Sequence, residues 1–513
     1  MKTFITKFIG MIVLAISLLA CQQKKETDDD YIPLFHFTNG INWTGEPTGL
    51  ICDDGIYHLF YQYNPSNAMY GNIHWGHAVS QDLFHWEIES IALKPDSLGY
   101  LKSGSVIVDK QNTSGWGKEG NSPFIAYYMY ENEKLEKSIY LAYSQDKGSS
   151  WTKYGELILP NEKCHSFRNP HVSWNELLKK WLMTVSSGSS ALFYVSSNCI
   201  DWSFLYEFED PANMGVTWLG TDFFSLQVQG KEKQTKWVLL VNMENNQSED
   251  LPVTRYYVGD FDGHSFRITQ AKELWLDYGK DNFGGMVFSG VPDGNQIYLG
   301  WMNCWDYANL LPTSSWRGNM TIPRQLNLVW EGKHFLISST IMSNIHYYYG
   351  ESLRLPPTYL SKEHYLKKDF PYPGEAFIIK LKFDNKDNMA IWKARDYGIR
   401  LKTKSGETLS IGYQNELSYY YIDRREQETK MFMEGFEHLQ GVSFRSNAPV
   451  IEWNLVFDKN SIELFAGNGC SVITSLCYLK EDFSSFELFA KSGSVSLLEG
   501  SITRLEKNKE KVI

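Results

Sequence analysis

The sequence has little cysteine, no basic cluster and no long apolar run beyond its first residues. Seven cysteines are scattered over 513 residues, and none forms the CxxC or Cys/His spacing of a metal site. Lysine and arginine total 49 against 60 acidic residues, a net charge of −11. We therefore expect no metal or organic cofactor and no nucleic-acid partner, because nucleic-acid binding relies on basic surfaces.

The one pronounced apolar run, residues 8–20, is too short to span a membrane as a mature helix. Lys2 and Lys7 precede it and Leu-Leu-Ala-Cys ends it, which resembles a bacterial lipobox. We predict a lipoprotein signal peptide over residues 1–20 and lipidation of Cys21, with a plain signal peptide as the alternative. The polar segment 21–34 is predicted to be a flexible tether. Its acidic end resembles the export tethers of Gram-negative surface lipoproteins, so we expect a protein of the outer membrane or cell surface that is held by its lipid alone.

Aromatic residues are plentiful, with 17 Trp, 31 Tyr and 29 Phe. Aromatic side chains favour strands over helices, and their faces also stack on sugar rings. The composition therefore predicts an all-β protein and is compatible with carbohydrate recognition. An aromatic-rich β core without any sugar function remains the alternative.

A strand-turn-strand unit recurs along the first two thirds of the chain. Its copies lie at 80–86, 144–151 and 196–202, with a degenerate copy at 259–266, and an aromatic residue ends each one. Such repetition is typical of propeller blades, and the intervals exceed the usual repeat of about 40–50 residues, which implies long loops between blades. The aspartate of each turn is predicted to be structural and to accept backbone N–H bonds.

The character of the sequence changes after Ile337. Residues 338–374 contain Pro356-Pro357 and a further Pro-Tyr-Pro-Gly turn, and we interpret them as a connector. Short alternating strands without helical periodicity then follow, which favours a β-sandwich over residues 375–513. The predicted fold class is therefore all-β, a β-propeller over residues 35–337 followed by a C-terminal β-sandwich.

The stretch 42–86 is the strongest candidate for a functional site. Glu46 stands beside Pro47 and Gly49, and an apolar strand leads from there to Gln62-Tyr63-Asn64-Pro65 and a cluster of aromatic and histidine residues. A carboxylate among turns and aromatics suits a sugar site, because carboxylates hold hydroxyls. A turn in an aromatic β core is the structural alternative.

Several collinear motifs carry a family resemblance over roughly residues 35–505. They are LFYQYNP at 59–65, HWGHAVS at 74–80, SGS at 103–105, GWMN at 300–303, WRGNMTIPR at 316–324 and DKNSIELF at 458–465. The chain resembles glycoside hydrolase family 32, the invertases, levanases and inulinases. The resemblance implies a five-bladed propeller with a C-terminal sandwich, and a fructan or other oligosaccharide as the ligand.

That family cleaves fructosides with an aspartate nucleophile, a glutamate acid/base and a second aspartate that holds fructose hydroxyls. The resemblance aligns these three positions with Glu46, Asn169 and Leu219, so all three depart from the pattern. Glu46 keeps a carboxylate on a longer side chain, Asn169 carries no charge, and Leu219 cannot donate a proton. Asp222 is a weak candidate for the missing acid, and His165 is another conceivable one.

The resemblance also implies a set of substrate-binding positions. Gln62, Ser103, Arg168 and Trp301 match the family, whereas others have changed, including Lys102 for a usual Phe and Tyr70 for a usual Trp. The full predicted binding set is Gln62, Tyr70, Lys102, Ser103, Arg168, Asn169, Phe283 and Trp301.

Three hypotheses follow from these residues. The first is a surface-anchored protein that recognises fructans, with hydrolysis weak, altered or lost, and with surface glycan-uptake proteins as possible partners. The second is an active retaining glycosidase that uses Glu46 as nucleophile and an acid not yet placed. A purely structural lipoprotein is the third, and the retained aromatic residues of the pocket disfavour it.

Overall fold

The computed structural model describes residues 28–507, apart from 119, 133, 135, 160–166, 211–214, 245–253, 271–273, 387–391, 427–435, 437–438 and 445–447. Its regular elements are strands, joined by turns and a few short 3₁₀ helices. These helices are Asp28–Tyr31, Pro292–Gly294, Ala308–Leu310, Ser343–Tyr348 and Gly467–Gly469. Within these described residues, no helix is long and apolar enough to cross a membrane.

The first part of the chain forms antiparallel sheets of consecutive strands, as expected for propeller blades. One sheet contains β1 (Asn42–Asp53), β2 (Ile56–Asn64), β3 (His74–Ser80) and β4 (Glu87–Ile88). The next contains β5 (Tyr100–Val108), β6 (Phe124–Glu131), β7 (Lys137–Ser144) and β8 (Thr152–Lys153). A third contains β9 (Phe167–Asn175), β10 (Lys180–Ser187), β11 (Ser190–Ser196) and β12 (Ser203–Glu209).

The remaining propeller strands form one nine-stranded sheet, apart from β19, which joins the first sheet by pairing with β1 in parallel. A single parallel pair, Val228 with Leu328, connects its two halves. The first half is β13 (Trp218–Val228), β14 (Lys231–Met243), β15 (Thr254–Phe261) and β16 (Phe266–Ile268). The second half is β17 (Phe283–Val287), β18 (Gln296–Met302), β20 (Asn319–Met320), β21 (Arg324–Trp330) and β22 (Phe335–Ile341). The strand β19 (Trp316–Arg317), which belongs to the first sheet, lies between β18 and β20 in the sequence.

The second part of the chain is a sandwich of two sheets around an apolar core that includes Ile379, Tyr397, Trp453 and Leu488. One sheet is built from β23 (Tyr349–Leu355), β24 (Thr358–Leu360), β26 (Phe377–Asp384), β31 (Val450–Asp458), β32 (Ser461–Ala466), β33 (Ser471–Leu476) and β35 (Val495–Leu505). The other is built from β25 (Leu366–Asp369), β27 (Asp396–Thr403), β28 (Thr408–Gln414), β29 (Tyr419–Glu426), β30 (Gln440–Ser443) and β34 (Phe483–Lys491).

The repeated turns have the structural role that the sequence predicts. In the first copy, Asp82 Oδ1 accepts the backbone N–H groups of Phe84 and His85 at 2.9 and 2.7 Å. The indole N–H of Trp86 donates to the Leu83 carbonyl at 2.8 Å. The later copies repeat this closure, for example with Trp151 Nε1 on the Gly148 carbonyl at 3.0 Å. The turn aspartates are therefore structural, as expected.

Buried ion pairs join the propeller to the sandwich. Arg324 donates to Asp277 at 2.7 Å on the propeller side and to Glu463 of β32 on the sandwich side. His36 bridges Asp458 and Glu463 through its two ring nitrogens at 2.9 and 2.8 Å. Buried charges are tolerated when they are paired, so this network ties the segment before β1 to both domains.

The all-β fold of a propeller followed by a sandwich is thus confirmed. The count of five blades and the domain boundaries stay predictions. Residues 1–27, with the predicted signal peptide, Cys21 and most of the tether, lie outside the described residues. Of the cysteines after Cys21, Cys164 also lies outside them, and Cys52, Cys199, Cys304 and Cys477 form no disulfide within the described residues.

Candidate functional site

An open cavity of about 300 Å³ lies where the propeller sheets meet. Strands of several sheets contribute to it, which is how a propeller assembles a site from distant parts of the sequence. Its lining residues are Glu46, Gln62, Tyr70, Lys102, Ser103, Met129, Glu131, Lys137, Arg168, Asn169, Leu219, Glu244, Phe283 and Trp305.

Local irregularity of β1 positions Glu46 at this cavity. The register of β1 against β2 shifts between Thr44 and Pro47, and such bulges re-aim side chains. Gly284 packs against the carboxylate side chain with φ of +61°, and a Cβ there would lie 2.6 Å from Glu46 Cγ. A glycine is therefore required at position 284, both for its backbone conformation and for the space that Glu46 occupies.

The carboxyl of Glu46 is buried and hydrogen bonded. Ser103 Oγ donates to Glu46 Oε2 at 3.1 Å, and Gln62 Nε2 donates to Ser103 Oγ at 2.5 Å. Burial raises the pKa of Glu46 to about 7, although Ser103, Lys102, Trp305 and Arg168 act in the opposite direction. At neutral pH the group therefore exists in both protonation states, so it can accept or give a proton.

Aromatic rings form one side of the cavity. Trp305 lines it and is 38% exposed, and its ring lies 4.9 Å from Tyr70 and 6.4 Å from Phe283, edge to face in both cases. Behind it, Trp301 is fully buried and donates from Nε1 to the Thr44 carbonyl at 2.9 Å. Trp305 therefore offers the ring for stacking on a sugar, and Trp301 supports it from below.

The three positions that the family resemblance aligns with catalytic residues come together around this cavity. Glu46, Asn169 and Leu219 all line it, although they lie on β1, β9 and β13. Asn169 adopts a left-handed backbone with φ of +43°, and its side-chain nitrogen would lie 3.2 Å from a Cβ added to Gly220. Leu219 is half-buried and packs against the aromatic cluster that contains Trp43 and Trp301. Besides Glu46, the cavity lining therefore includes an amide and an apolar side chain.

Asp222, the weak candidate acid, lies elsewhere. It lines a separate cavity of about 20 Å³ that also borders Glu46, large enough for about one water molecule. Its Oδ2 accepts the Val287 N–H at 2.8 Å, and His171 Nδ1 makes an ion-pair contact with Oδ1 at 3.2 Å without hydrogen-bond geometry. Burial raises the pKa of Asp222. This carboxyl does not line the open cavity, and His165 lies outside the described residues.

Charged residues at strand ends complete the cavity. Glu131, the last residue of β6, pairs with Lys102 at 2.8 Å and lies 3.9 Å from Lys137, the first residue of β7. Lys102 also donates to the Tyr70 hydroxyl at 3.2 Å. Glu244 follows β14, and its backbone N–H donates to the Thr217 carbonyl at 2.8 Å, next to the segment that carries Leu219.

Most of the predicted residues line this cavity. Gln62, Tyr70, Lys102, Ser103, Arg168, Asn169 and Phe283 do so, whereas Trp301 lies behind it; their functional roles stay predictions. The sequence did not predict that Met129, Glu131, Lys137, Glu244 and Trp305 line the cavity. Trp305 stands four residues after Trp301, yet nothing in the sequence distinguishes the exposed ring from the buried one. The charged residues end or flank strands, and that position was the only available signal. Among the described residues, no three His, Cys, Asp or Glu side chains are placed to hold a metal ion.

Comparisons with known proteins agree with this architecture. Residues 36–339 match the glycosyl hydrolases family 32 N-terminal domain, and residues 356–504 match the family's C-terminal domain. A levanase of Bacillus subtilis is 35% identical over 490 residues, which is 94% of this chain and 71% of the levanase. An extracellular exo-inulinase of Aspergillus awamori is 28% identical over 93% of this chain and 95% of the inulinase.

Solved structures give the same result. The crystal structure of exo-inulinase from Aspergillus awamori superposes with a TM-score of 0.84 at 27% identity, covering 94% of this chain and 99% of that one. Both domains and their order are thereby accounted for, and the family resemblance is confirmed. The chain belongs to glycosyl hydrolase family 32.

Proposed function

We propose that this protein binds a fructan or a related β-linked fructofuranoside in the open cavity that Glu46 lines. We propose further that its hydrolysis of such ligands is weak, altered or lost. The observation that carries the proposal is the composition of the cavity. The exposed ring of Trp305 and the Gln62–Ser103–Glu46 chain of hydrogen bonds suit a sugar, while Leu219 contributes an apolar wall.

The expected loss of hydrolysis follows from the chemistry of glycoside cleavage. Retaining glycosidases need two carboxyl groups about 5–5.5 Å apart, one as nucleophile and one as acid. Leu219 provides no proton and Asn169 no negative charge near a developing oxocarbenium ion. Because general acid catalysis is typically worth about 10²–10⁴-fold, a chain without it binds its ligand and releases product slowly.

A second candidate function is an active retaining glycosidase. The position of Glu46 favours it, because the carboxyl is buried, fixed by Ser103 and poised near pH 7 by its pKa. In that case Glu46 attacks the anomeric carbon, and another group protonates the leaving oxygen.

The N-terminal sequence supports an exported protein that is anchored through Cys21 at the outer membrane or cell surface. Such a protein would present its cavity to polysaccharide outside the cell and pass ligand or products to glycan-uptake proteins. Replacement of Cys21 by serine followed by membrane fractionation tests the anchor, since the variant should leave the membrane fraction.

Binding and cleavage are separated by one experiment. Purified protein is incubated with levan, inulin, sucrose and short fructo-oligosaccharides for a day, released sugar is assayed, and calorimetry is run on the same ligands. Binding without release supports the first function, and release that disappears in Glu46→Gln supports the second. Glu176→Gln is the matched control, because Glu176 is exposed and pairs with Lys179 away from the cavity. If the protein neither binds these ligands nor releases sugar from them, both candidate functions are contradicted.

A further inference from the structure

Three positively charged side chains line the cavity, although fructans are neutral. Lys102, Lys137 and Arg168, here called the cationic cluster, all line it. Lys102 and Lys137 approach the same carboxylate, Glu131, from two strands. Neutral sugars are bound through aromatic stacking and a few polar groups, so a cluster of this kind demands a separate explanation.

The cationic cluster is only partly compensated by the protein. Glu131 contacts Lys102 closely at 2.8 Å, and Lys102 has the Tyr70 hydroxyl as a second partner. Lys137 is 12% exposed, yet its Nζ lies 3.9 Å from Glu131, which is beyond hydrogen-bond distance. Burying an ammonium group is costly unless it is paired and hydrogen bonded.

The guanidinium of Arg168 is also incompletely hydrogen bonded. Its Nε is buried and has no hydrogen-bond acceptor among the described residues. Burial lowers the pKa of Lys137, and the nearby positive charge of Arg168 lowers it further. Lys137 and Arg168 therefore repel each other at the edge of an open space, which is the arrangement of an anion site.

Two further carboxyl groups face this cluster. Glu46 is buried and is partly protonated at neutral pH, so it compensates Arg168 incompletely. Glu244 is exposed to solvent, and its charge raises the pKa of Lys137 less than the charge of Glu131 does. Neither carboxyl contacts Lys137 as an ion pair in the described part of the chain.

We propose that the natural ligand of this cavity carries an acidic group, a carboxylate, phosphate ester or sulfate ester, that lies between Lys137 and Arg168. The guanidinium offers a planar fork that suits these anions, and the lysine adds a point charge. The inference rests on the proposed function and narrows it. The ligand is then a fructoside with an acidic substituent or one that is linked to an acidic sugar.

Calorimetry on matched ligands tests this proposal. The probes are a neutral inulin-type trisaccharide and the same trisaccharide bearing a sulfate ester, a phosphate ester or a primary alcohol oxidised to carboxylate, with inorganic sulfate alone as a further probe. We expect at least one acidic trisaccharide to bind ten-fold or more tightly than the neutral one, with an affinity that falls as salt is raised. The three acidic forms distinguish the source of the charge.

Variants assign the preference to the cluster. Lys137→Gln should remove most of the preference for the acidic trisaccharide, and Arg168→Gln should remove it as well. Lys179→Gln, at an exposed surface pair, is the control that should leave the preference intact. Thermal unfolding of each variant verifies that the fold is retained.

The outcomes separate the two proposals. Equal binding of neutral and acidic trisaccharides overturns this inference and leaves the proposed function standing. A preference that survives both Lys137→Gln and Arg168→Gln also overturns it. If no trisaccharide binds and none is cleaved, the proposed function fails and this inference fails with it.

Discussion

At the scale of single residues, Glu46 is a buried carboxyl in the lining of the cavity. Its carboxyl is held by Ser103, confined by Gly284 and buried, and burial raises its pKa to about 7. Sequence motifs locate this residue in the family pattern. The raised pKa follows from burial between β1 and β17, which is a property of the assembled propeller.

The first prediction concerns the pH dependence of any hydrolysis. A nucleophile must be ionised, and the folded pKa of Glu46 is about 7. Release of fructose should therefore increase as pH rises from about 5.5 through 7 and level off above 8, measured as kcat/KM across that range. Glu46→Gln should show no such rise. A rate that falls over this interval would contradict a nucleophilic Glu46.

The second prediction concerns Leu219. Leu219→Glu places a carboxyl in the cavity that Glu46 lines. Because general acid catalysis is typically worth about 10²–10⁴-fold, this substitution should raise fructoside hydrolysis by about ten-fold or more. Leu219→Gln is the control of equal size without an acid, and it should give no gain. Equal rates in the two variants would show that the missing acid is not what limits the chain.

At the scale of elements, the turns between strands fix the blades. Asp82 organises the first repeated turn and also accepts a hydrogen bond from the Tyr348 hydroxyl, next to the start of the sandwich. The Asn344 side chain donates to the Asp82 carbonyl at 2.7 Å. One turn therefore connects a blade edge to the 3₁₀ helix Ser343–Tyr348 that leads into the second domain.

The third prediction follows from those bonds. Asp82→Ala leaves two backbone N–H groups and a tyrosine hydroxyl without their acceptor, so the free energy of unfolding should fall by about 1–3 kcal/mol. Asp82→Asn keeps one acceptor oxygen and should lose less. Asp201→Ala is the surface control, since among the described residues Asp201 Oδ2 accepts a hydrogen bond only from the Asn198 side chain, at 2.7 Å. Chemical unfolding of the three variants measures these differences.

At the scale of the whole molecule, buried charge joins the two domains. His36, Asp458 and Glu463 form one chain of hydrogen bonds, and Arg324 extends it to Asp277. The two carboxylates raise the pKa of His36 from 6.5 to about 9, against the effect of burial. The interface is therefore stabilised by a protonated histidine.

The fourth prediction is a loss of stability at alkaline pH. Because the folded pKa of His36 exceeds its unfolded value, its contribution is complete below pH 6.5 and is lost as pH rises through about 9. This rise in the pKa of His36 corresponds to about 3 kcal/mol of folding free energy. Unfolding by urea between pH 6 and pH 10 should show this decline, and His36→Gln should be less stable at pH 6 and lack this part of the slope. A wild-type stability that is flat over this range would contradict the assignment.

Much of the fold could be predicted from sequence because its causes are local. The serine-to-tryptophan turns are closed by hydrogen bonds between residues two to four positions apart, so each copy of the motif predicts a blade edge. The collinear motifs placed Glu46, Asn169 and Leu219 at one site, and the structure brings all three to one cavity.

The rest depended on contacts between distant strands. Trp301 and Trp305 look alike in the sequence, but Trp301 fills the space beneath Thr44 and Trp305 faces the cavity. Lys137 and Glu131 belong to neighbouring strands, whereas Arg168 and Glu244 come from other sheets, so no sequence spacing reveals that they share a cavity.

The sequence by itself determined the all-β class, the order of the domains and the family. Those features depend on residue types, on period and on bonds within a few residues. Only the tertiary structure decided which aromatic ring faces the cavity, how far burial shifts the pKa of Glu46, and that three only partly compensated cationic side chains line the cavity. Burial and electrostatic compensation are set by residues far apart in the chain, and they exist only once the sheets have packed.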